Sequence, residues 1–421
     1  MDINRLLSGI ECDCGKAHNC SIENVYIESG AIKRLALLCK NYKNILLVAD
    51  ENTFFAAGAE VERALVDKKL KKVIFSGEKL LIPNEDAVDT VKKKINKTEL
   101  IVGIGSGVIQ DLCKYVSFLT NVPYMIVATA PSMDGYASDG AAMILCGMKE
   151  TVKAGLPKAI IADIDVLKNS PMEMIKAGYG DIIGKYSALC DWKLSATVTG
   201  EYFCPYIYDT TFKMIENTLE YAPGLFERNE DSIKALTEAL IVVGVMMSFA
   251  GTSRPASGSE HHLSHFFEIT GIINSEPYFP HGIDVAYSTL VTAKLREVIM
   301  ENDFPDKIYR LSEKEYNEKM NEIYGPVAEG CVRLQNKTGN YSSNRIQIYK
   351  QKKDEIRNIL SLMPGFYEVE QILSVAQLDA EEFYKIYGEQ KIKDAIMYAK
   401  DLKDRYTVLW LYYDLFGDKI K

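Results

Sequence analysis

Residues 100–111, LIVGIGSGVIQD, join an apolar run to closely spaced glycines and then to the start of a helical pattern. A short apolar run that ends at glycine is typical of a buried strand. Glycines let the backbone approach a ligand, and the amide groups at a helix N-terminus attract an anion such as a diphosphate. The pattern GxGxxG is not matched, because Val108 stands at its last glycine, so a tight strand-to-helix turn is the alternative.

Further apolar runs lie on both sides of this stretch and alternate with helical patterns. Strands are predicted at residues 45–50, 72–75 and 124–128, and helices at residues 54–69 and 85–95. Near-continuous apolar strands separated by helices favour a parallel sheet that is covered on both faces. Residues 141–146 and 159–162 predict a peripheral hairpin and a last sheet strand. We therefore expect an α/β nucleotide-binding domain over residues 1–167.

The pattern changes at about residue 171, where strand alternation gives way to helical periodicity. Helices are predicted at residues 231–250, 313–322 and 350–362. The longest apolar run, residues 239–250, falls short of the roughly 20 residues that a membrane span needs. It therefore predicts a buried helix and no membrane span. The expected second domain is all-α and covers residues 168–421.

The composition is typical of a globular protein, with 47% hydrophobic and 25% charged residues among 421. The 49 Lys and Arg against 58 Asp and Glu give a net charge of −9. No nucleic-acid partner is expected, because phosphate backbones require a positive surface. The nine cysteines are scattered, and the N-terminus lacks the apolar stretch of a secretory signal. A reducing, cytoplasmic location is expected.

Residue types that bind metals crowd near the N-terminus, where Cys12, Cys14, His18 and Cys20 fall within nine positions. Thiolate and imidazole groups could hold zinc. Their spacing is tighter than in a usual zinc knuckle, and no second cysteine pair follows nearby. The sequence therefore favours the alternative, a turn around Gly15 that leads into a strand.

Four of the five histidines fall within 21 positions: His261, His262 and His265 lie in GSEHHLSH, and His281 lies in PHG. Imidazole is a common ligand for divalent metals, and His261 and His265 are spaced to share one helix face. Such donors with an open position would make a catalytic metal centre, although spacing does not name the third ligand. An accidental grouping on a helix surface is the alternative.

A polar loop, residues 129–138, follows the predicted strand at residues 124–128. Loops at strand ends often carry function, whereas a proline turn with a side-chain cap is the alternative.

Five segments together resemble the glycerol-1-phosphate dehydrogenase family, in particular its bacterial AraM-like members. They are GSGVIQDLCKY, TAPSMDGYASDGA, AGYGDIIGKYSALCDWKL, SRPASGSEHHLSH and PHG. The family belongs to the superfamily of iron-containing alcohol dehydrogenases and dehydroquinate synthase-like proteins. The resemblance runs to about residue 281 and returns in LKDRYTVLWL, whereas residues 300–390 carry no matching motif. It implies a Rossmann-like sheet domain followed by a helical, metal-binding domain.

The resemblance also implies the residues of a metal site. Asp181, His261 and His281 become ligands of one divalent ion (zinc, nickel or iron), and His262 falls in a variable position. Asp181, in GYGD, is expected at the start of a long helix, where its glycines allow a close approach to the ion. Asp181 and His265 are the implied catalytic residues, and both of them contact the substrate together with Asp134.

The implied cofactor is NAD or NADP. The residues assigned to it are Gly105, Ser106, Gly107, Val108, Ile109, Gln110, Asp111, Thr129, Ala130, Pro131, Ser132 and Ser138. Asp50 could bond a ribose hydroxyl and would repel a 2′-phosphate. Its alternative role is to cap the helix that follows it.

The implied reaction interconverts sn-glycerol-1-phosphate and dihydroxyacetone phosphate in a homo-oligomer. The small phosphorylated substrate needs a local cation, and Lys185 and Arg254 lie beside the metal motifs. Pairing of these two cations with structural carboxylates is the alternative. Three other functions remain open: a glycerol or other polyol dehydrogenase, a dehydroquinate synthase-like lyase, and a non-enzymatic nucleotide-binding or scaffold protein.

Overall fold

The computed structural model describes residues 3–79, 81–145 and 148–418. Its Cα positions separate into two compact units. Unit 1 comprises Met1–Gly178 and Glu216–Ser253, and unit 2 comprises Tyr179–Ile215 and Arg254–Lys421.

Strands occur only before residue 164 in the described part of the chain. They are β1 (Ile10–Glu11), β2 (Ala17–His18), β3 (Asn24–Glu28), β4 (Asn44–Asp50), β5 (Lys69–Phe75), β6 (Leu100–Gly105), β7 (Tyr124–Ala128), β8 (Gly140–Leu145), β9 (Met148–Lys153) and β10 (Ala159–Asp163). Six of them form a sheet in the order β3-β10-β7-β6-β4-β5, and every neighbouring pair is parallel. The predicted parallel sheet is confirmed.

The α-helices follow in chain order. They are α1 (Ile3–Leu7), α2 (Leu35–Leu38), α3 (Glu51–Ala64), α4 (Glu85–Lys92), α5 (Gly107–Thr120), α6 (Ile164–Leu167), α7 (Met172–Thr199), α8 (Pro205–Tyr221), α9 (Glu230–Ala250), α10 (Ser259–Asn274), α11 (His281–Glu301), α12 (Glu313–Tyr324), α13 (Ala328–Thr338), α14 (Ile346–Gln351), α15 (Lys353–Ser361), α16 (Phe366–Val375), α17 (Ala380–Tyr398) and α18 (Val408–Leu415).

The central strand β6 is buried along its whole length, as its apolar sequence predicts. One face of the sheet packs on α3 through Ala57 and Val61. The other face packs on α5 so closely that a Cβ on Gly103 would lie 2.9 Å from the Sγ atom of Cys113. Helices on both faces explain why the strand sequences are apolar without alternation.

Two small hairpins lie outside this sheet. β8 and β9 pair antiparallel and form the predicted peripheral hairpin, although Cys146 of the predicted strand lies outside the described residues. β1 and β2 pair antiparallel around the loop that carries Cys12 and Cys14. The edge strand β3 was not predicted, because only Val25 in it is fully buried.

Helix α9 belongs to unit 1. A Cβ on Gly244 would lie 2.6 Å from the carbonyl oxygen of Asp134, and Ser248 Oγ donates to the carbonyl of Ala137 at 2.8 Å. The units are therefore discontinuous in sequence, unlike the predicted division into residues 1–167 and 168–421. Of the helices described, α9 alone is long and apolar enough to cross a membrane, and 78% of its apolar window is buried. Burial of this kind is typical of a core helix.

Within the described part of unit 2, every regular element is a helix. The single helix predicted at residues 350–362 is two helices, α14 and α15, which meet at Lys352. The confirmed fold class is thus a parallel α/β sheet unit with a helical unit.

Candidate functional site

Asp181 and Lys185 lie on neighbouring turns of α7 and face each other in the interior of unit 2. Lys185 Nζ donates to Asp181 Oδ1 at 2.6 Å, and both side chains are almost fully buried. Lys185 also donates to the carbonyl of Ala256 at 3.1 Å. The expectation that Asp181 begins a long helix is wrong, because α7 starts at Met172.

The glycines around Asp181 serve helix packing. A Cβ on Gly180 would lie 2.3 Å from the carbonyl oxygen of Gly282, and one on Gly184 would lie 2.4 Å from Val285 Cγ1. These small residues let α7 and α11 approach closely, so the backbone of Asp181 is held near the first turn of α11. Gly180 thus has a packing role, and the expectation that the glycines of GYGD let an ion approach stays a prediction.

Three histidine rings gather beside this carboxylate. His261 and His265 lie on successive turns of α10, and His281 is the first residue of α11. The ring centroids of His261 and His281 are 5.1 Å apart, and those of His265 and His281 are 5.5 Å apart. His261 Nε2 lies 3.7 Å from Asp181 Oδ1. Tertiary structure thus brings Asp181 close to histidines that lie 80 and 100 positions further along the sequence, His261 and His281.

Buried neighbours orient two of these rings. His261 Nδ1 lies 2.6 Å from Glu260 Oε1, which also accepts the backbone N–H of Gly258 at 2.9 Å. When Glu260 is ionised, its carboxylate favours a proton on Nδ1 and leaves Nε2 as the electron-pair donor on the Asp181 side. Ser264 Oγ lies 3.3 Å from His281 Nδ1 and can fix that ring in the same way.

Two acids in this region have raised pKa values. Burial raises the pKa of Glu260 to about 7, and burial together with the nearby Glu260 raises the pKa of Asp191 to about 6. Asp191 accepts the backbone N–H groups of Ser259 and Val408, each at 2.6 Å. It therefore joins the N-terminus of α10, which carries the histidines, to that of α18.

The surroundings of His262 differ from those of its neighbour His261. Its side chain is fully buried, and neither ring nitrogen has a hydrogen-bond partner within the part of the chain that the structure describes. Burial lowers its pKa well below the ordinary value, so the ring is neutral.

Arg254 is paired with a carboxylate of unit 2. Its Nε donates to Glu201 Oε1 at 2.7 Å, and its Nη2 donates to Glu201 Oε2 at 2.5 Å. Nη2 also donates to Ser195 Oγ and to the carbonyl of Tyr406. This is the structural pairing that the sequence left as the alternative, and it argues against a role in substrate binding.

In unit 1, the loops that follow β6 and β7 lie side by side because these two strands are neighbours. Ser106 Oγ lies 2.5 Å from Ser132 Oγ, and Thr129 N donates to the carbonyl of Gly105 at 3.2 Å. Ser106 precedes α5 without a side-chain cap at that helix end, according to the described residues. The first-turn amide groups of α5 are thus suited to an anion.

Gln110 and Lys114 of α5 hold the second loop in place. Gln110 Nε2 donates to the hydroxyl of Tyr124 and to the carbonyl of Tyr136. The buried Lys114 Nζ donates to the carbonyl of Gly140 at 2.7 Å and lies 3.4 Å from Ser138 Oγ. Gln110 therefore helps to hold this loop in place, and no sequence pattern pointed to Lys114.

Asp50 caps α3. Its Oδ1 accepts the backbone N–H of Thr53 at 2.9 Å, and Thr53 Oγ1 accepts the backbone N–H of Asp50. This capping box is the alternative role proposed for Asp50, and its contact with a ribose stays a prediction.

The chain is similar in sequence to proteins of one family. A family model described as iron-containing alcohol dehydrogenase matches residues 26–171. The glycerol-1-phosphate dehydrogenase [NAD(P)+] of Geobacillus thermodenitrificans is 33% identical over 290 residues, which cover 66% of this chain and 71% of that protein. The protein of the same name from Thermococcus sibiricus is 32% identical over 293 residues, which cover 66% of this chain and 81% of that protein. The chain belongs to the glycerol-1-phosphate dehydrogenase family.

Further matches extend over most of the chain. The glycerol-1-phosphate dehydrogenase [NAD(P)+] of Bacillus licheniformis is 27% identical over 412 residues, or 94% of this chain and 90% of that protein. The solved iron-containing alcohol dehydrogenase of Thermococcus thioreducens superposes with a TM-score of 0.61 at 13% identity and covers 94% of this chain and 98% of that one. At this identity, the structural likeness shows the fold alone.

Within this glycerol-1-phosphate dehydrogenase fold, sequence reasoning missed Glu260 and Asp191. Glu260 stands in GSEHHLSH at a position that resembles the exposed first turn of a helix, where acids are common. The signal in the sequence that could have identified Glu260 is its position next to His261, whose ring it contacts. Asp191 lies 68 positions from its partner Ser259, so no local pattern identifies it.

Proposed function

We propose that this protein is a metal-dependent, NAD(P)-linked oxidoreductase that interconverts sn-glycerol-1-phosphate and dihydroxyacetone phosphate. The observation that carries the proposal is the grouping of Asp181, His261 and His281 inside unit 2, with Glu260 holding the His261 ring. Relatives named for this activity, of which the chain spans more than two thirds, support it.

Asp181, His261 and His281 would hold one divalent ion. The fit rests on the donor set, one carboxylate and two imidazoles, and on Glu260, which leaves His261 Nε2 unprotonated. Zinc, nickel and iron all accept these donors. When bound, such an ion stabilises negative charge on the substrate oxygen that becomes the ketone.

The remaining residues of this group orient ligands and manage charge. Lys185 balances the buried charge of Asp181 through its 2.6 Å contact. His265 is partly exposed and adjoins both other rings, so we assign it the substrate contact and the proton transfer. Pairing with Asp181 argues against Lys185 as the anchor of the substrate phosphate, just as pairing with Glu201 argues against Arg254.

The loops after β6 and β7 would hold the dinucleotide, which supplies or accepts the hydride. The uncapped N-terminus of α5 and the room at Gly107 support this assignment, since a Cβ there would meet only Met133 Cγ at 3.8 Å. Residues 105–111 and 129–132 with Ser138 form the proposed cofactor contacts, and Asp134 is a proposed substrate contact.

The activity test compares glycerol-1-phosphate with glycerol. Purified protein loaded in turn with zinc, nickel or iron is assayed with both substrates and with NAD and NADP. We expect kcat/KM for the phosphorylated substrate to exceed that for glycerol by at least about tenfold, which corresponds to about 1.4 kcal/mol. A preference for glycerol would identify a polyol dehydrogenase, and turnover without net NADH formation would identify a lyase.

The ligand test replaces the proposed metal ligands. Asp181→Asn and His261→Ala should lose one ion per chain and all turnover with the fold intact, as measured by metal analysis and circular dichroism. A variant that keeps the full metal content contradicts the ligand assignment. A homo-oligomer in the cytoplasm is also proposed, and light scattering and cell fractionation test it.

A further inference from the structure

Cys12, Cys14 and His18 form a second group of metal-binding side chains, in unit 1. Their donor atoms all lie within 4.8 Å of one another, and Cys14 Sγ lies 3.4 Å from His18 Nε2. We propose that these three residues bind a zinc ion that fastens the β1–β2 hairpin. This structural site is additional to the ion of the proposed reaction.

The hairpin geometry brings the donors together. β1 and β2 have two residues each, and His18 pairs with Ile10 at the end of the ladder. The loop between them turns at residues 12–15, where Gly15 N donates to the carbonyl of Cys12 at 3.1 Å and Gly15 has φ of +83°. So short a two-stranded hairpin has little stability of its own, and a bound ion would supply the missing cross-link.

The orientation of His18 is that of a metal ligand. Its ring is 1% exposed and stacks on Phe249, with the ring centroids 5.3 Å apart. Nδ1 lies 3.1 Å from the carbonyl oxygen of Phe249, in the last turn of α9, where a helix leaves its carbonyls without intrahelical partners. A proton on Nδ1 satisfies that carbonyl and leaves Nε2 as an electron-pair donor on the Cys14 side, as in most metal-bound histidines.

The separations also match zinc. Bonds of about 2.3 Å to sulfur and about 2.05 Å to nitrogen at a tetrahedral angle place a sulfur and a nitrogen ligand roughly 3.6 Å apart. The observed distance from Cys14 Sγ to His18 Nε2 is 3.4 Å. Binding converts two thiols to thiolates and releases two protons, so the charge of the ion is balanced by its two sulfur ligands. Thiolate and imidazole donors together select zinc over the hard cations magnesium and calcium.

The turn around Gly15 and the strand after it, which the sequence favoured, are both present, and this inference adds a bound ion to them. It also removes Cys20 from the predicted cluster, because Cys20 is not among the grouped donors. Cys20 is therefore the matched control for the experiment: it is another partly buried cysteine only six positions from Cys14.

The experiment counts metals and identifies sulfur ligands. Wild type, Cys14→Ser, His18→Gln and Cys20→Ser are prepared alone and in the His261→Ala background, which removes the proposed reaction ion. Zinc content is measured by mass spectrometry. Each protein is then loaded with cobalt, because a sulfur-to-cobalt charge-transfer band arises only from thiolate ligands, and the proposed reaction site has none.

We expect the band and one bound zinc in the His261→Ala protein and in its Cys20→Ser derivative. Cys14→Ser and His18→Gln in that background should lose both, with zinc affinity lowered by more than about 100-fold. Absence of the band from the His261→Ala protein, or full zinc retention by Cys14→Ser, would overturn the site. A simple thiol–imidazole hydrogen bond would give that first result. A band that persists while the phosphorylated substrate is not turned over would refute the proposed function alone.

Discussion

Replacing Arg254 with methionine should destabilise the protein without a selective effect on the phosphorylated substrate. The guanidinium is 2% exposed and makes two parallel hydrogen bonds to Glu201, at 2.7 and 2.5 Å. It also donates to Ser195 Oγ at 3.0 Å and to the carbonyl of Tyr406 at 2.9 Å. Methionine retains much of the apolar volume and removes all four hydrogen bonds. The measured loss of folding free energy therefore reports the contribution of the polar contacts.

The magnitude follows from the burial of the two partners. Removing one member of a buried ion pair costs about 3–5 kcal/mol, because the other charge is left uncompensated. The Glu201 side chain is 31% exposed, so water can solvate the carboxylate and reduce the cost to about 2–3 kcal/mol. At about 2–4 °C per kcal/mol for a domain of 150–250 residues, the expected drop in Tm is about 4–12 °C.

The assay is denaturant unfolding of Arg254→Met, Glu201→Gln and the double variant, followed by kcat/KM with the phosphorylated substrate and with glycerol. The double variant should lose less stability than the sum of the single variants, because the two side chains interact. Arg333→Met is the matched control, since its pair with Glu329 is exposed and should contribute at most about 0.5 kcal/mol.

A different outcome would refute this reasoning. If Arg254→Met keeps wild-type stability while KM for the phosphorylated substrate rises tenfold or more and glycerol turnover is unchanged, Arg254 anchors the phosphate. The pair with Glu201 would then contribute nothing measurable to folding.

Three further predictions concern the cofactor loop, a buried acid and helix packing. Gly107→Val should fold normally, because only Met133 Cγ at 3.8 Å meets the new Cβ. It should raise the Kd for NADH at least about tenfold in a fluorescence titration. An unchanged affinity contradicts the assignment of this loop to the cofactor. Burial raises the pKa of Asp191 to about 6, so the folded state holds that proton more tightly than the unfolded chain does. As the pH rises from about 4 to about 6, the stability of wild type should therefore fall relative to that of Asp191→Asn by on the order of 1–3 kcal/mol. Parallel pH dependences of the two proteins in urea unfolding would refute this. Gly180→Val should cost at least about 1–3 kcal/mol and release bound metal, because its Cβ would lie 2.3 Å from the carbonyl oxygen of Gly282; metal analysis showing full occupancy would oppose it.

The sequence determined the central sheet because burial on both faces leaves a local signature. β4, β6, β7 and β10 are runs of apolar residues that helices must cover, and each was located within a residue or two. The edge strand β3 has neighbours on one side only and was missed, because partial burial relaxes the demand for apolar residues.

The crowding of His261, His265 and His281 was likewise visible in the sequence, because these residues come from two consecutive helices. The family resemblance added Asp181, which is distant along the chain. The packing role of Gly180 was not visible, since a glycine that allows a ligand to approach and one that allows a helix to approach look identical in a sequence.

Only the tertiary structure shows which polar groups bond to one another. Arg254 meets Glu201 across 53 positions, and Asp191 meets Ser259 across 68, while the carbonyl that accepts from His18 lies 231 positions away. Each partner is chosen by how helices pack, and packing depends on side-chain volumes and loop lengths along the whole chain. Periodicity and motif spacing report only neighbours on one element, so they identify donors and acceptors but not the groups that they meet.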